Sequence, residues 1–497
     1  EITPSSASFA QWGTQLNQLV ENSNWDKDLT FWKTQQISNP DLPLDFPQAN
    51  NLESSTAQVE CNFSTSETES LLYEFPRTRK ARIQEVLLTV LLEAVTEWTN
   101  NSQMVVALES HGRESDITQL DVFNSVGWFT SLFPFKLEKT TEDALENLQS
   151  VKQQCREIPN NGFSYGLLAQ KPEFADTLPK IPQGILFNYL GQFDDNFPQT
   201  APFLPATEDA GISRALQNIR SFQVEITGLI IDGKLQMRFV FSKALHHQAT
   251  IQKLADTFYN RFVSLLEQSR TRENHFTPAD FPLAKLNREQ LSVALAQTSD
   301  VEDIYPLAPV QEGMLFHNNY ESDGVYLQQV IGELSGTLDV SLFKQAWENC
   351  INHHPSLRAS FILRDLPRPL QRIHNQINLP FITENWTEFK ASEVASKWEN
   401  LLETDRKQGF DIEKAPLMRL TLVQTEAQKW RFLWTHHHLL LDGWSLPLIF
   451  RDVITFYQAH KSQTHPKVKQ PPAYSDFIAW LNQQDTSATE SFWREQL

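Results

Sequence analysis

His436-His437-His438-Leu439-Leu440-Leu441-Asp442-Gly443-Trp444-Ser445 stands between an apolar, aromatic run at 430–435 and a helical run at 446–460. The first run predicts a strand, and Ser445 with Pro447 in the first turn predicts the helix start. Another strand is expected at 417–423. Polar residues between the end of a buried strand and the start of a helix are where an α/β fold presents chemistry.

Outward from this stretch the same alternation recurs. Residues 86–95 (VLLTVLLEAV), extending through Trp98, form an apolar run long enough to predict a buried helix. Residues 104–108 (MVVAL) predict a strand that ends in Glu109-Ser110-His111-Gly112-Arg113-Glu114. Further strands are expected at 185–190, ending at Gly191, and at 223–231 and 234–242, joined by the favoured hairpin pair Asp232-Gly233. Residues 250–266 predict an amphipathic helix. In the second half, Asp339 can cap a helix through about 352, Pro355 follows its end, and 357–362 reads as a strand. Strands alternating with helices in both halves predict a mixed α/β architecture. Between the halves apolar density falls, and Pro278 and Pro282 appear. Domains are therefore expected at 1–268 and 301–497, with a linker at 269–300.

Composition narrows the function classes. The chain has 497 residues, enough for two to four compact units, and 40% hydrophobic residues with 13 Trp and 33 Phe, which excludes disorder. The net charge of −19 disfavours nucleic acid and anionic membrane surfaces as partners. Cys61, Cys155 and Cys350 are too few and too scattered for a disulfide framework or a zinc set, which fits a reducing cytoplasm. No apolar run reaches the roughly 18 residues of a spanning helix.

A long-range repeat sets the phasing. Ser8-Phe9-Ala10-Gln11-Trp12 followed by Phe31-Trp32 is echoed by Asp476-Phe477-Ile478-Ala479-Trp480 followed by Phe492-Trp493. The chain thus reads as an excised piece that begins in the middle of one unit and holds complementary parts of two successive homologous domains.

His437 and His438 point to opposite faces at a strand end, so one can address a cavity while the other packs behind it. Asp442, across the Gly443 turn, can hold the loop or fix an imidazole. A neutral imidazole facing a cavity serves as a base or hydrogen-bond partner near neutral pH. A metal site built from the histidines and Asp442, and a purely structural cluster, are the competing readings. For Glu109 the competing reading is an ion pair with Arg113 or Arg82. Trp128 and Phe129 are expected as core aromatics.

The stretch HHHLLLDGWS contains HHxxxDG and resembles the signature of the condensation-type domains of nonribosomal peptide synthetases. Residues 304–317 (IYPLAPVQEGMLFH) look like the opening motif of the condensation class that accepts a D-configured donor, and 354–361 (HPSLRASF) and 474–480 (YSDFIAW) look like later motifs. His353 departs from the arginine more usual there. In the first half, 109–114 (ESHGRE) is similar to the EGHGRE motif of epimerization domains, with Ser110 in place of glycine. Residues 126–130 (VGWFT) and 188–194 (NYLGQFD) match two further motifs of those domains.

The resemblance implies chloramphenicol acetyltransferase-like lobes, with mixed sheets flanked by helices and one lobe from each of two successive domains. It implies an epimerization part, then a condensation part. Glu109 would be one acid–base group for α-carbon inversion, with Asn188 and Tyr189 lining the site near the enolate. The second group would be a histidine of an HHxxxDG motif, expected about 30 residues ahead of Glu1 by the repeat spacing. In the second half, His438 would act on the acceptor amine with His437 as its support. Gly443 would offer a backbone N–H to the oxyanion, and Arg358 would pair with Asp442 to hold the loop. No metal or directly bound cofactor is implied, since a thioester already acidifies the α-proton. No phosphate-binding loop and no phosphopantetheine attachment site is found. Substrates would arrive on the phosphopantetheine of carrier domains, with adenylation domains of the same synthetase as further partners. With one lobe of each domain present, the chain alone is expected to catalyse neither step. The alternatives are that the first half comes from another condensation domain, that the chain is a standalone acyl-CoA acyltransferase, or that it is a non-catalytic docking module.

Overall fold

Every residue from Glu85 to Thr96 of the helix Ile83–Thr99 is buried, as an all-round apolar helix requires. The helix packs against a six-stranded sheet and the helices Ala144–Arg156 and Gln248–Thr271. The structure is a computed structural model that describes residues 7–36, 42–192, 211, 213–272, 276–295, 298, 300–318, 326–466, 468–469, 471–485 and 487–496. It separates into two compact units, Glu1–Phe276 and Thr277–Leu497.

The strands of the first unit are β1 (Thr56–Asn62), β2 (Gln103–Ser110), β3 (Ser131–Glu138), β4 (Ile185–Gln192), β5 (Val224–Ile231) and β6 (Lys234–Ser242). Their order across the sheet is β1-β6-β5-β4-β2-β3. β2 and β5 both run parallel to β4, while the other neighbours are antiparallel. The expected hairpin of β5 and β6 turns at Asp232 and Gly233, both at positive φ, the backbone that a two-residue turn of the expected type demands. Phe187, Phe239 and Phe241 from the sheet meet Phe258 and Phe262 from the helix Gln248–Thr271 in the core.

The second unit holds β7 (Val301–Pro306), β8 (Leu327–Ser335), β9 (Ala359–Ile362), β10 (Leu370–His374), β11 (Phe381–Asn385), β12 (Met418–Glu426) and β13 (Lys429–His437). They form two sheets, β7-β10-β9 and β11-β12-β13-β8. Helices Val340–His353, capped by Asp339 as expected, and Ser445–Ser462 pack on each other. Trp347 lies 5.0 Å from Trp434 of β13, and Phe450 lies 5.7 Å from Trp434, so the strand that leads to the histidines is anchored by aromatic packing. Both units are thus mixed sheets flanked by helices. The strand expected from 357 starts at Ala359, because Pro355–Arg358 makes a 3₁₀ turn.

Two expectations change. Trp128 is 81% exposed while Phe129 is buried, so only the second is a core aromatic. The stretch read as linker is packed at both ends. Ser269 is buried and its carbonyl accepts from Arg79 Nη2 at 2.7 Å. Beyond it, Pro278–Asp280 and Arg288–Leu295 are helical, and Phe281, Leu291 and Ala294 are buried. A few anchors in a polar stretch are invisible to average composition. Phe281→Ala is expected to destabilise the protein by about 3–5 kcal/mol, whereas truncation of a solvated linker residue would change stability by less than about 0.5 kcal/mol. Chemical denaturation distinguishes the two.

Candidate functional site

In the first unit the site follows from strand register. β2 and β4 run parallel with Leu108 opposite Phe187, so the next residues, Glu109 and Asn188, leave the sheet side by side on its other face. Asn188 Nδ2 donates to Glu109 Oε2 at 2.5 Å. Both line a cavity of about 580 Å³ with Tyr189, Arg82, His111 and Thr130. Burial raises the pKa of Glu109, the Asn188 bond opposes that shift, and the charge of Glu225 adds to it. The ion pair of Glu109 with Arg113 or Arg82, the competing reading, is not formed among the described residues; Arg113 turns away to Val122 and Ser125. The Tyr189 hydroxyl is buried without a hydrogen-bond partner among the described residues, and burial raises its pKa. Phe193 and Asp194 of the NYLGQFD motif lie outside the described residues.

In the second unit the three histidines diverge: His436 and His437 alternate at the end of β13, and His438 lies just beyond it. His436 is fully buried on the Trp434 side, with ring centroids 4.5 Å apart. His437 is buried, and its Nδ1 accepts from Leu439 N–H at 3.2 Å. His438 is half-buried, with Nδ1 at 2.9 Å from Leu441 O. A carbonyl only accepts, so Nδ1 carries the proton and Nε2 is the basic nitrogen of the neutral ring. The His438 backbone N–H donates to Tyr326 O at 2.8 Å. This spread argues against a metal site made of the triplet and Asp442.

The expected Arg358–Asp442 pair is absent. Arg358 is buried at the 3₁₀ turn and bonds Glu302, His374 O and, at 3.2 Å each, Ile351 O and Asn375 O. Asp442 is exposed, and its Oδ1 accepts from Ser445 N–H at 2.9 Å and Ser445 Oγ–H at 2.7 Å, closing the turn that starts the helix. Arg358 instead ties β7 to β10. Gly443 is exposed, and an added Cβ would meet nothing within 4 Å. Gln311, quoted within the opening motif but given no role from sequence, supports the histidine loop by donating to Leu439 O at 2.8 Å. Its only sequence signal was that motif.

His353, His354 and Asp452 bring ligand atoms within 4.8 Å of one another. Their capacity is already used: His354 Nε2 lies 2.9 Å from Asp452 Oδ2, Arg451 holds Oδ1 at 2.8 Å, and His353 Nε2 lies 3.2 Å from Lys469 O. No helix among the described residues is long and apolar enough to cross a membrane.

The Condensation domain family matches the chain twice, over residues 2–279 and 301–497. One of the linear gramicidin synthase proteins of Brevibacillus parabrevis is 35% identical over 498 residues, covering 99% of this chain and 10% of that protein. Another protein of the same synthase is 34% identical over 509 residues, covering 100% of this chain and 6% of that protein. The chain therefore spans a tenth or less of the length of these relatives. Among solved structures, the epimerization domain from the third module of tyrocidine synthetase B is similar with a TM-score of 0.50 and 26% identity, over 55% of this chain and 62% of that one.

Burial, the largest cause, together with neighbouring side chains lowers the pKa of His374, His436 and His437 to about 4; at His374 Arg372 and Arg358 add to the shift and Asp300 opposes it. Between pH 6.5 and about 4 the unfolded chain takes up protons that these rings refuse, so stability is lost as pH falls through that window, on the order of 3 kcal/mol at full extent for each of the buried rings His436 and His437 and less for the partly exposed His374. Thermal unfolding should show a midpoint falling from pH 7 to pH 5. His436→Phe, which keeps the contact with Trp434 and removes one titrating ring, should flatten that fall.

Proposed function

The chain belongs to the condensation-domain family of nonribosomal peptide synthetases, and we propose that its two units are parts of consecutive domains with different chemistry. The first unit is the C-terminal part of an epimerization domain, and the second is the N-terminal lobe of a condensation domain that takes the resulting D-configured donor. The observation that carries the first assignment is the convergence of Glu109, Asn188 and Tyr189 on one cavity, from two motifs 79 residues apart in sequence. The similarity to an epimerization domain supports it.

Inversion of an α-carbon removes a proton on one face and delivers one on the other. Burial raises the pKa of Glu109 and so favours its acid form more than at an exposed carboxyl, which suits it to proton delivery, and Asn188 holds one of its oxygens, Oε2, at the cavity. The unpartnered Tyr189 hydroxyl is a donor for the developing enolate oxygen. The thioester itself acidifies the α-proton, and its pantetheine arm belongs to a carrier domain.

In the second unit, His438 presents Nε2 to the acceptor amine, and the Gly443 N–H is a donor for the tetrahedral oxyanion. His437 is a packed support. Asp442 acts by shaping the turn rather than by pairing with Arg358.

The test is carrier-bound aminoacyl thioester in deuterated buffer with the complete synthetase. Glu109→Gln should slow α-proton exchange roughly a hundredfold or more while condensation with a D-donor persists, and His438→Ala should do the reverse. Exchange unaffected by Glu109→Gln would assign the first unit to a condensation domain instead. Residues 1–497 alone should catalyse neither step, and exchange by that polypeptide alone would refute the proposal of incomplete sites.

A further inference from the structure

Residues 109–114, which start in the last two positions of β2, do more than supply Glu109. Gly112 has a φ of +65°, and a Cβ placed on it would lie 1.7 Å from Phe129 O, so the chain passes Phe129 at a distance only glycine allows. The next residue, Arg113, donates from Nη1 to Val122 O and, at 2.9 Å, to Ser125 O, and its guanidinium lies 4.1 Å from the centre of the Phe129 ring. The Arg113 backbone N–H donates to His111 Nδ1 at 2.9 Å, which closes the turn between Glu109 and the clamp. Phe129 is buried against Trp12 and Phe9, at 4.9 and 5.3 Å, so the far side of the clamp is rigid. Thr130, directly after Phe129, is itself a wall of the Glu109 cavity. Glu109 pairs with Leu132 and Ser110 with Ser131 across β2 and β3, so both ends of the 111–130 excursion are fixed to the strand pair that bears the carboxylate.

We infer that Arg113 is a positioning residue, which clamps the 122–130 loop against the end of β2 and so keeps the Glu109 carboxylate in its half-buried place beside Asn188. The guanidinium suits this task because it offers two directed N–H bonds to carbonyls and a flat face to a ring at once, which an ammonium cannot do. Loss of the clamp frees Thr130 and the loop from the cavity wall and admits water to Glu109. Since burial is the largest influence on that carboxyl, hydration moves its titration down toward the ordinary carboxylate range.

The inference concerns the carboxylate's setting, and only its catalytic consequence rests on the inversion reading. The direct test is a ¹³C-carboxyl NMR titration of the 497-residue chain labelled at glutamate, with Glu109 assigned by Glu109→Gln. Arg113→Ala should shift the Glu109 titration to lower pH. Arg113→Lys, which keeps a cation over Phe129 but loses the forked bonds, should give a smaller shift in the same direction, and serves alone if the alanine variant does not fold. A variant with native thermal unfolding and an unmoved Glu109 titration overturns the inference. In the complete synthetase, Arg113→Ala should slow inversion roughly ten- to a hundredfold, with the pH profile displaced in the same direction as the titration. A lower rate with an undisplaced profile would mean a merely structural role. Absence of inversion in the wild-type synthetase would sink the functional reading and leave the titration to decide the role of Arg113.

Discussion

The hydrogen bond from Asn188 to Glu109 depends on a constraint set far below the side chains, the parallel register of β2 and β4. Strand residues alternate between faces, so a slip of one position would turn Glu109 into the helix-covered core and leave Asn188 facing the cavity alone. The register is held in turn by the core face. Leu108 and Phe187 are both buried there, over a helix buried on all sides. Hydrophobic packing on one face of the sheet thereby fixes a polar pair on the other, at the carboxyl ends of parallel strands where open α/β sheets place their sites.

The second unit solves a similar problem by different means. β13 ends in His436 and His437, with His438 just beyond it, and alternation alone would leave their roles ambiguous. Packing separates them: His436 is claimed by Trp434, and His437 is enclosed with a bond from Leu439 N–H. His438 has left the strand, and its ring is held by a carbonyl of its own loop. The tautomer of His438 is thus set by backbone geometry, not by a carboxylate, and Asp442 is released to start the next helix. Buried donors need partners. Arg358 found its own in carbonyls and Glu302, which is why it has no capacity left for an exposed aspartate.

Much of the fold was legible because the signals were local. The apolar run at 86–95, the Asp232-Gly233 turn and the Asp339 cap each name an element by its own chemistry, and each element is where it was expected. The candidate residues at 109, 188 and 189 were legible as motifs, and the Glu109–Asn188 contact is what the strand register adds. The side-chain partners were not. Whether Glu109 meets an arginine or an asparagine, whether Arg358 reaches Asp442, and whether Trp128 or Phe129 is buried are decided by which groups three-dimensional packing brings within about 3–4 Å. Within the stretch expected as linker, the buried residues Phe281, Leu291 and Ala294 went unread for a related reason, since average composition is insensitive to a few anchors, while the boundary between the two units does fall inside that stretch, after Phe276.

The repeated aromatic segments separate what a sequence encodes locally from what a neighbourhood adds. Phe9–Asn22 and Tyr474–Asn482 are both helices, and so are Asp26–Lys33 and Ser487–Gln496, so the shared pattern specifies the element in both units. In the first unit Trp12 is buried against Phe129 and Phe163, and Trp32 is fully buried with its Nε1–H donating to Ser164 Oγ at 3.0 Å. In the second, Trp480 stacks near Phe477 at 6.0 Å yet is 53% exposed, and Phe492 and Trp493 are equally open. In the first unit the loop after β2, which carries Phe129, and the helix Phe163–Ala169, which carries Phe163 and Ser164, close over the aromatics. That loop is also the one Arg113 grips. Burial of the first unit's aromatic face and the inferred placement of Glu109 thus draw on the same local closure, in which Phe129 packs against both Trp12 and the Arg113 guanidinium.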